Sequence, residues 1–307
     1  MSRILVTGGN GFIGQHSVTA LQTAGHEVIR LLRNAPSPAD EKTGCIIVGD
    51  LLRDGEPERI ARDVRADLLV HLAWETEHGQ FWHAEINRRW ETQSVRLVEA
   101  FWNSGGIKAV CAGTCAEYDW NALGPNKDLD EEDSSLVPAT LYGQSKFSCF
   151  KTLNDKSVAG AGALAWGRVF LLFGRGETPG RFIPSIMRAL LANKEAPMSS
   201  GKQVRDFLDS RDVGAAFAAL ALSEVEGAVN ISSGEGRSLL SVARMIADKL
   251  GNRDLLRPGT YPDREGEPHR LVGCNKKLIG EVGFSSRYSL EQGLDHSLSY
   301  WKHQMDL

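Results

Sequence analysis

The sequence predicts an α/β protein: helices flank a doubly wound parallel sheet, and a smaller, partly discontinuous C-terminal domain follows. Three observations lead there. Short apolar runs recur through the first half of the chain, helix-length amphipathic stretches separate most of them, and the runs are solid rather than alternating in polarity. A strand covered by helices on both faces needs apolar residues at every position, whereas a half-exposed strand alternates.

Taken in order, strands are expected at residues 4–6, 28–32, 46–48, 68–71, 109–112 and 163–169, with helices near 13–24, 56–65, 85–103 and 142–158. The third helix carries Ile86, Trp90, Leu97 and Phe101 at helical spacing. After about residue 170 the rhythm loosens. Helices are expected at 181–193, 211–223, 238–250 and 289–302, with a short strand at 229–231. Residues 257–262 contain two prolines and a glycine, so they can form neither a helix interior nor a central strand. The acidic stretch 128–133 reads as a solvated loop. The expected division is 1–170 and 171–307, with some later segments returning to the first part.

Composition narrows the partners. A chain of 307 residues with a net charge of −4 offers no general polyanion surface, so nucleic acid is not expected, while a few arginines could still hold a small anion. The five cysteines form no Cys-x-x-Cys pair, which suits free thiols in a reducing compartment. His78 and His83 lack metal-ligand spacing, and no metal is expected. The first strand starts too early to leave room for a signal peptide. The longest apolar run, 213–222, falls short of the roughly 20 residues that span a bilayer. A cytoplasmic setting without membrane contact is expected.

Chemistry begins at residues 4–14, where a strand runs into Gly8, Gly11 and Gly14 and then into a helix. A dinucleotide's pyrophosphate rests on such a helix N-terminus, where unpaired N–H groups and the positive dipole end face it. The glycines allow the tight turn and the close approach, and the strand–turn–helix context supports a Rossmann-like cofactor site. An acid that ends the second strand would accept from both ribose hydroxyls and favour NAD(H). Leu32 stands there, and the adjacent Arg33 could pair with a 2′-phosphate, so NADP(H) is the preferred cofactor and NAD(H) the other possibility. Asp50, after the third strand, is placed to meet the adenine.

Tyr142 and Lys146 are four residues apart near the start of a helix, so phenol and ammonium share one face. A nearby cation lowers a tyrosine's pKa, which suits the phenol to proton exchange with a sugar hydroxyl or ketone. Thr114 follows the fifth apolar run, at a strand's C-terminal end, where doubly wound folds keep their chemistry.

These residues, together with Asp50-Leu51, His71-Leu72-Ala73 and Arg168-Val169-Phe170, resemble the extended short-chain dehydrogenase/reductases, the NAD-dependent epimerase/dehydratase family. The resemblance continues through Arg205-Asp206-Phe207, Arg211-Asp212-Val213, Arg264-Glu265-Gly266-Glu267 and the closing 288–294. It implies that Phe12 and Ile13 lend amides to the pyrophosphate and that Leu51, Leu72, Ala73 and Val169 line the cofactor. It also implies that Tyr142 and Lys146 touch the cofactor, with Lys146 holding the nicotinamide ribose. Thr114, Arg205, Arg264 and Glu267 become the expected contacts to a nucleotide-diphosphate sugar, and a homodimer through the helices near 85–103 and 142–158 is implied.

Two departures shape the functional expectation. The family's 4,6-dehydratases carry an acidic pair after the threonine; here Cys115-Ala116 occupies it, and Glu117 is expected to point elsewhere. Leu171 stands where the family often has asparagine. The loop from Trp74 to Trp82 could equally wall a sugar pocket or serve as a hydrophobic lid. The expectation is an NADPH-dependent reductase of a nucleotide-4-keto-6-deoxysugar, with a nucleotide-sugar 4-epimerase holding NAD tightly as the alternative. A non-catalytic dinucleotide-binding regulator would need none of Thr114, Tyr142 and Lys146.

Overall fold

The computed structural model describes residues 1–37, 44–77, 79–122, 124 and 127–307. Seven parallel strands form the main sheet. They are β1 (Arg3–Thr7), β2 (Glu27–Leu32), β3 (Cys45–Val48), β4 (Leu68–His71), β5 (Lys108–Thr114), β6 (Ala163–Val169) and β10 (Gly227–Ile231), in the spatial order β3-β2-β1-β4-β5-β6-β10. The order reverses between β1 and β4, and the crevice beyond their C-terminal ends is where open α/β sheets bind ligands. The expected fold class is therefore observed.

Both faces of the sheet are covered, which explains the solid apolar runs. Along β1, Ile4 and Val6 belong to one core cluster and Leu5 to another, all three fully buried. The first cluster includes Val18 and Leu21 from α1 (Gly14–Thr23) with Val213 and Phe217 from α6 (Ser210–Leu222). The second includes Ile60 from α2 (Glu56–Val64), with Leu97 and Phe101 from α3 (Ile86–Asn103) and Leu153 from α4 (Leu141–Val158). Each such side chain contributes about 1.5–3 kcal/mol on burial.

Beyond β6 the chain leaves the main sheet. β7 (Leu171–Phe173) pairs in parallel with the second half of β9 (Val204–Asp209), and β13 (Arg270–Leu271) pairs in parallel with its first half. β11 (Gly236–Ser238) runs antiparallel along β9. β8 (Ala196–Met198) and β12 (Leu256–Pro258) form a separate two-stranded pair, so the proline-rich segment joins a strand only at an edge. A third core unites Met187 of α5 (Phe182–Leu191), Ile246 of α7 (Leu239–Leu250) and Trp301 of α9 (Leu290–Gln304); α8 (Lys276–Gly280) is short. Through β10 and α6 the C-terminal half re-enters the first sheet. Ser17 Oγ of α1 donates to the Gly214 carbonyl of α6 at 3.0 Å.

The acidic stretch departs from expectation. Residues 128–133 are not simply solvated: Leu129 is buried, Asp128 pairs with Arg270, and Glu131 accepts from the Asn230 backbone at 2.7 Å.

Candidate active site

At the end of β1 the glycine turn folds as a cradle that side chains would fill. Gly8 lies at φ +68°, and a Cβ there would stand 2.9 Å from the Ala73 nitrogen; a Cβ on Gly14 would fall 2.0 Å from the Gly8 oxygen. Gly11 closes the turn with N–H to the Gly8 carbonyl at 2.9 Å. No side chain caps α1, whose N-cap residue is Ile13, so Phe12 and Ile13 sit where amides and the dipole can meet an anion. On the opposite wall Thr7 Oγ1 accepts from the Ala73 N–H and bonds His71 Nδ1, while Leu72 donates to the Thr7 carbonyl. Val169 ends β6 in register with Thr114 and is buried. These residues fit a dinucleotide cofactor.

Leu32 is buried at the end of β2, and the chain then turns out to Arg33. Asp50 lies between two guanidiniums, with Arg33 Nε at 4.0 Å and Arg53 Nε at 3.7 Å. Arg33, Asn34, Val48, Gly49, Asp50, Arg53 and Glu56 line a cavity of about 330 Å³. Arg53 is the residue that reading the sequence missed here. Leu51, the next residue after Asp50, has its side chain buried in the same core cluster as Ile60.

Thr114 and Tyr142 meet because two elements approach closely. Thr140 caps α4 by accepting from the Gly143 N–H, and a Cβ on Gly143 would lie 2.3 Å from the Ala116 oxygen. Only glycine lets the helix start this near the exit of β5. The Thr114 hydroxyl is near enough to the Tyr142 phenol to act on its pKa. Phe81 and Trp82 pack edge-on to the Tyr142 ring, with centroids 4.9 and 5.8 Å away, and Trp120 stands 6.1 Å from Trp82. His78 of this loop lies outside the described residues.

The electrostatics differ from the sequence expectation. Burial pushes the Tyr142 phenol above its ordinary value, and the Thr114 hydroxyl only partly opposes this. Lys146 does not face the phenol as a free cation. Its Nζ donates to the Ala112 carbonyl at 2.6 Å and lies 3.7 Å from the centre of the Trp74 ring, and burial lowers its pKa to about 8. The first acid after Thr114 is committed elsewhere: Glu117 is fully buried, ion-pairs with Arg168 at 2.9 Å, and accepts from Trp166 Nε1 and the Thr114 N–H. Cys115, in the place of a dehydratase acid, has its thiol pushed up to about 12 by burial.

Of the expected substrate contacts, Arg205 and Glu267 stand together, Nη2 to Oε1 at 2.6 Å, with Arg205 buried on β9. Arg264 is exposed in the same turn, its carbonyl accepting from the Glu267 N–H at 3.3 Å. Among the described residues, no helix is long and apolar enough to cross a membrane.

A glycine cradle on a parallel sheet with a Thr–Tyr–Lys cluster at its C-terminal edge defines an enzyme of the extended short-chain dehydrogenase/reductase type. Residues 4–232 match the model of the NAD dependent epimerase/dehydratase family, and the chain belongs to that family. It is 25% identical to a UDP-glucose 4-epimerase of Azospirillum brasilense, over 99% of this chain and 93% of that protein. It is 26% identical to a dTDP-4-dehydro-6-deoxy-D-allose reductase of Streptomyces bikiniensis, over 98% of this chain and 96% of that one. Among solved structures, an NAD-dependent NDP-hexosamine 5,6-dehydratase involved in tunicamycin biosynthesis superposes with a TM-score of 0.82 at 28% identity, covering 99% of this chain and 98% of that one.

Proposed function

We propose that this chain is an NADPH-dependent reductase of a nucleotide-4-keto-6-deoxysugar. The observation that carries the reading is the ribose end of the cofactor crevice: an apolar Leu32 in the acid's place, with Arg33 and Arg53 both set against the carboxylate of Asp50. The other carboxylate lining the cavity, Glu56, is paired with Arg59, so Arg33 and Arg53 against Asp50 leave net positive charge for a 2′-phosphate. A charge-assisted bond contributes about 1.5–3 kcal/mol, and about 1.4 kcal/mol is tenfold, so NADPH should bind at least about ten times more tightly than NADH.

The nicotinamide ring supplies the hydride when the cofactor is bound. The chain's own groups manage the proton and the position. Tyr142 gives its phenolic proton to the sugar oxygen, and the neighbouring Thr114 hydroxyl orients that oxygen. Lys146 holds the ribose. The rings of Phe81 and Trp82 keep water from the phenol, and Arg205, Arg264 and Glu267 are the proposed contacts for the nucleotide diphosphate. An elimination of water would need an acid beside Thr114, and the Glu117–Arg168 pair uses that acid up. The rival among family activities is a 4-epimerase, favoured by the full-length match to the Azospirillum enzyme.

Titration of the purified protein with NADPH and NADH, followed by cofactor fluorescence, tests the reading. Tighter binding of NADPH, with turnover of a nucleotide-4-keto-6-deoxyglucose, is the expected result. Equal or better binding of NADH, or NAD co-purifying at full occupancy, would transfer the proposal to the epimerase.

A further inference from the structure

Lys146 is 3% exposed although it bears a cation, and an indole faces its ammonium opposite a carbonyl. The indole is itself held. Trp74 Nε1 donates to Asn87 Oδ1 at 2.8 Å, and its ring stacks on Trp90 with centroids 6.0 Å apart and planes 26° off parallel. Asn87, on the first turn of α3, is fully buried and donates to the Phe81 carbonyl at 2.7 Å and the Ala84 carbonyl at 2.9 Å. The next residue, Trp82, accepts from the Tyr142 N–H at 3.1 Å. One buried amide thus ties down both ends of the loop that touches the two residues of the Tyr-x-x-x-Lys pair.

Any large apolar side chain at position 74 could fill this space. An indole adds a negative ring face, the best aromatic partner for a cation, and the attraction grows where water is excluded. We infer that Trp74, locked by Asn87, is the positioning residue of Lys146, carrying the ammonium on its ring face so that it stays charged and set for the cofactor ribose. This deepens the proposed function and rests on its assignment of Lys146 to the ribose.

Of the other titratable groups around Nζ, Cys149, Glu117 and Cys111 favour the ammonium, but by less than burial disfavours it. His71 is pushed down to about 3 by burial and is neutral; the Cys111 thiol is pushed up to about 12 and that of Cys149 well above its ordinary value, also by burial. Glu117 is occupied by Arg168. The charge is therefore lost as pH rises through about 8. The indole stabilises the charged form, so its removal should move that loss to lower pH.

The test compares Trp74→Phe with Trp74→Leu in the full chain, each checked for folding by its thermal melt. NADPH and NADH are titrated from about pH 6 to 10, a range that brackets the lysine transition. Trp74→Phe, which keeps a ring face, should bind within about threefold of the wild type. Trp74→Leu should bind about tenfold more weakly, with the alkaline loss of binding about one pH unit earlier. If the leucine variant fails to fold, Trp74→Met provides a flexible apolar replacement. Wild-type affinity and pH dependence in the leucine or methionine variant would reduce Trp74 to packing and overturn the inference. Tighter binding would overturn it too, because the indole would then be blocking the lysine. A wild type that binds neither cofactor would overturn the cofactor reading along with it; binding by the wild type keeps the two failures distinct.

Discussion

Tyr142 stands among aromatic rings rather than charges, and that sets what its replacement should do. The ring of Phe would keep the edge contacts to Phe81 and Trp82 while losing only the hydroxyl that neighbours Thr114. Tyr142→Phe is therefore expected to lower kcat by about 10²–10⁴-fold with cofactor binding nearly unchanged, as measured by steady-state kinetics beside a cofactor titration. Near-wild-type turnover would remove the phenol from the mechanism. At the ribose end, Arg33→Ala should erase most of the NADPH preference, and Leu32→Asp should shift it towards NADH by restoring a carboxylate. The ratio of the two dissociation constants checks both. Leu32 and Arg33 stood out in the sequence by their place at the end of the second strand, and Tyr142 by its four-residue spacing to Lys146. Trp74 over Lys146 did not, because the contact joins positions far apart in the chain, and Gly143 was hidden because its reason is a carbonyl on another element.

At the scale of the element, the β5 and β6 exits are fastened by a buried ion pair. Glu117 and Arg168 are 0% and 1% exposed at their side chains, and the pair also anchors the Thr114 backbone through Glu117. Burying two charges is costly, so the pair itself adds little net stability, but removing one partner strands the other. Glu117→Gln should cost about 3 kcal/mol or more in urea denaturation followed by circular dichroism. A loss under about 1 kcal/mol would mean that Arg168 finds another partner or water. The main-sheet strands and the longer helices were legible because burial on both sheet faces writes itself as continuous apolar runs. The strands of the second sheet were not. β9 reads Val-Arg-Asp-Phe-Leu-Asp, and its buried Arg205 and Asp206 break the apolar pattern. Their charges are satisfied from elsewhere in the chain: Arg205 by Glu267, and Asp206 by the backbone N–H groups of Ser233, Gly234 and Gly273.

For the whole molecule, α3 and α4 lie side by side, joined across their solvent face by the Lys156–Glu99 ion pair at 2.6 Å. Val95 and Phe150 on these helices are only partly buried. We predict that the pair meets its copy in a four-helix contact with two-fold symmetry. Light scattering at micromolar concentration should return the mass of two chains, and a single-chain mass would refute it. Such a contact would brace the helix that carries Tyr142 and Lys146, so assembly and cofactor affinity should fall together on dilution.

The buried Glu117–Arg168 pair also has a consequence that can be weighed. With Glu117, the first acid after Thr114, paired to Arg168 in the core, the proposed reductase is expected not to expel water from its sugar. Every oxygen that enters should leave on the same molecule. In a mass spectrometer the product is expected to be heavier than the substrate by two hydrogens, or equal to it if the hydride returns to its origin. A product lighter by one water would show that the pair opens during turnover.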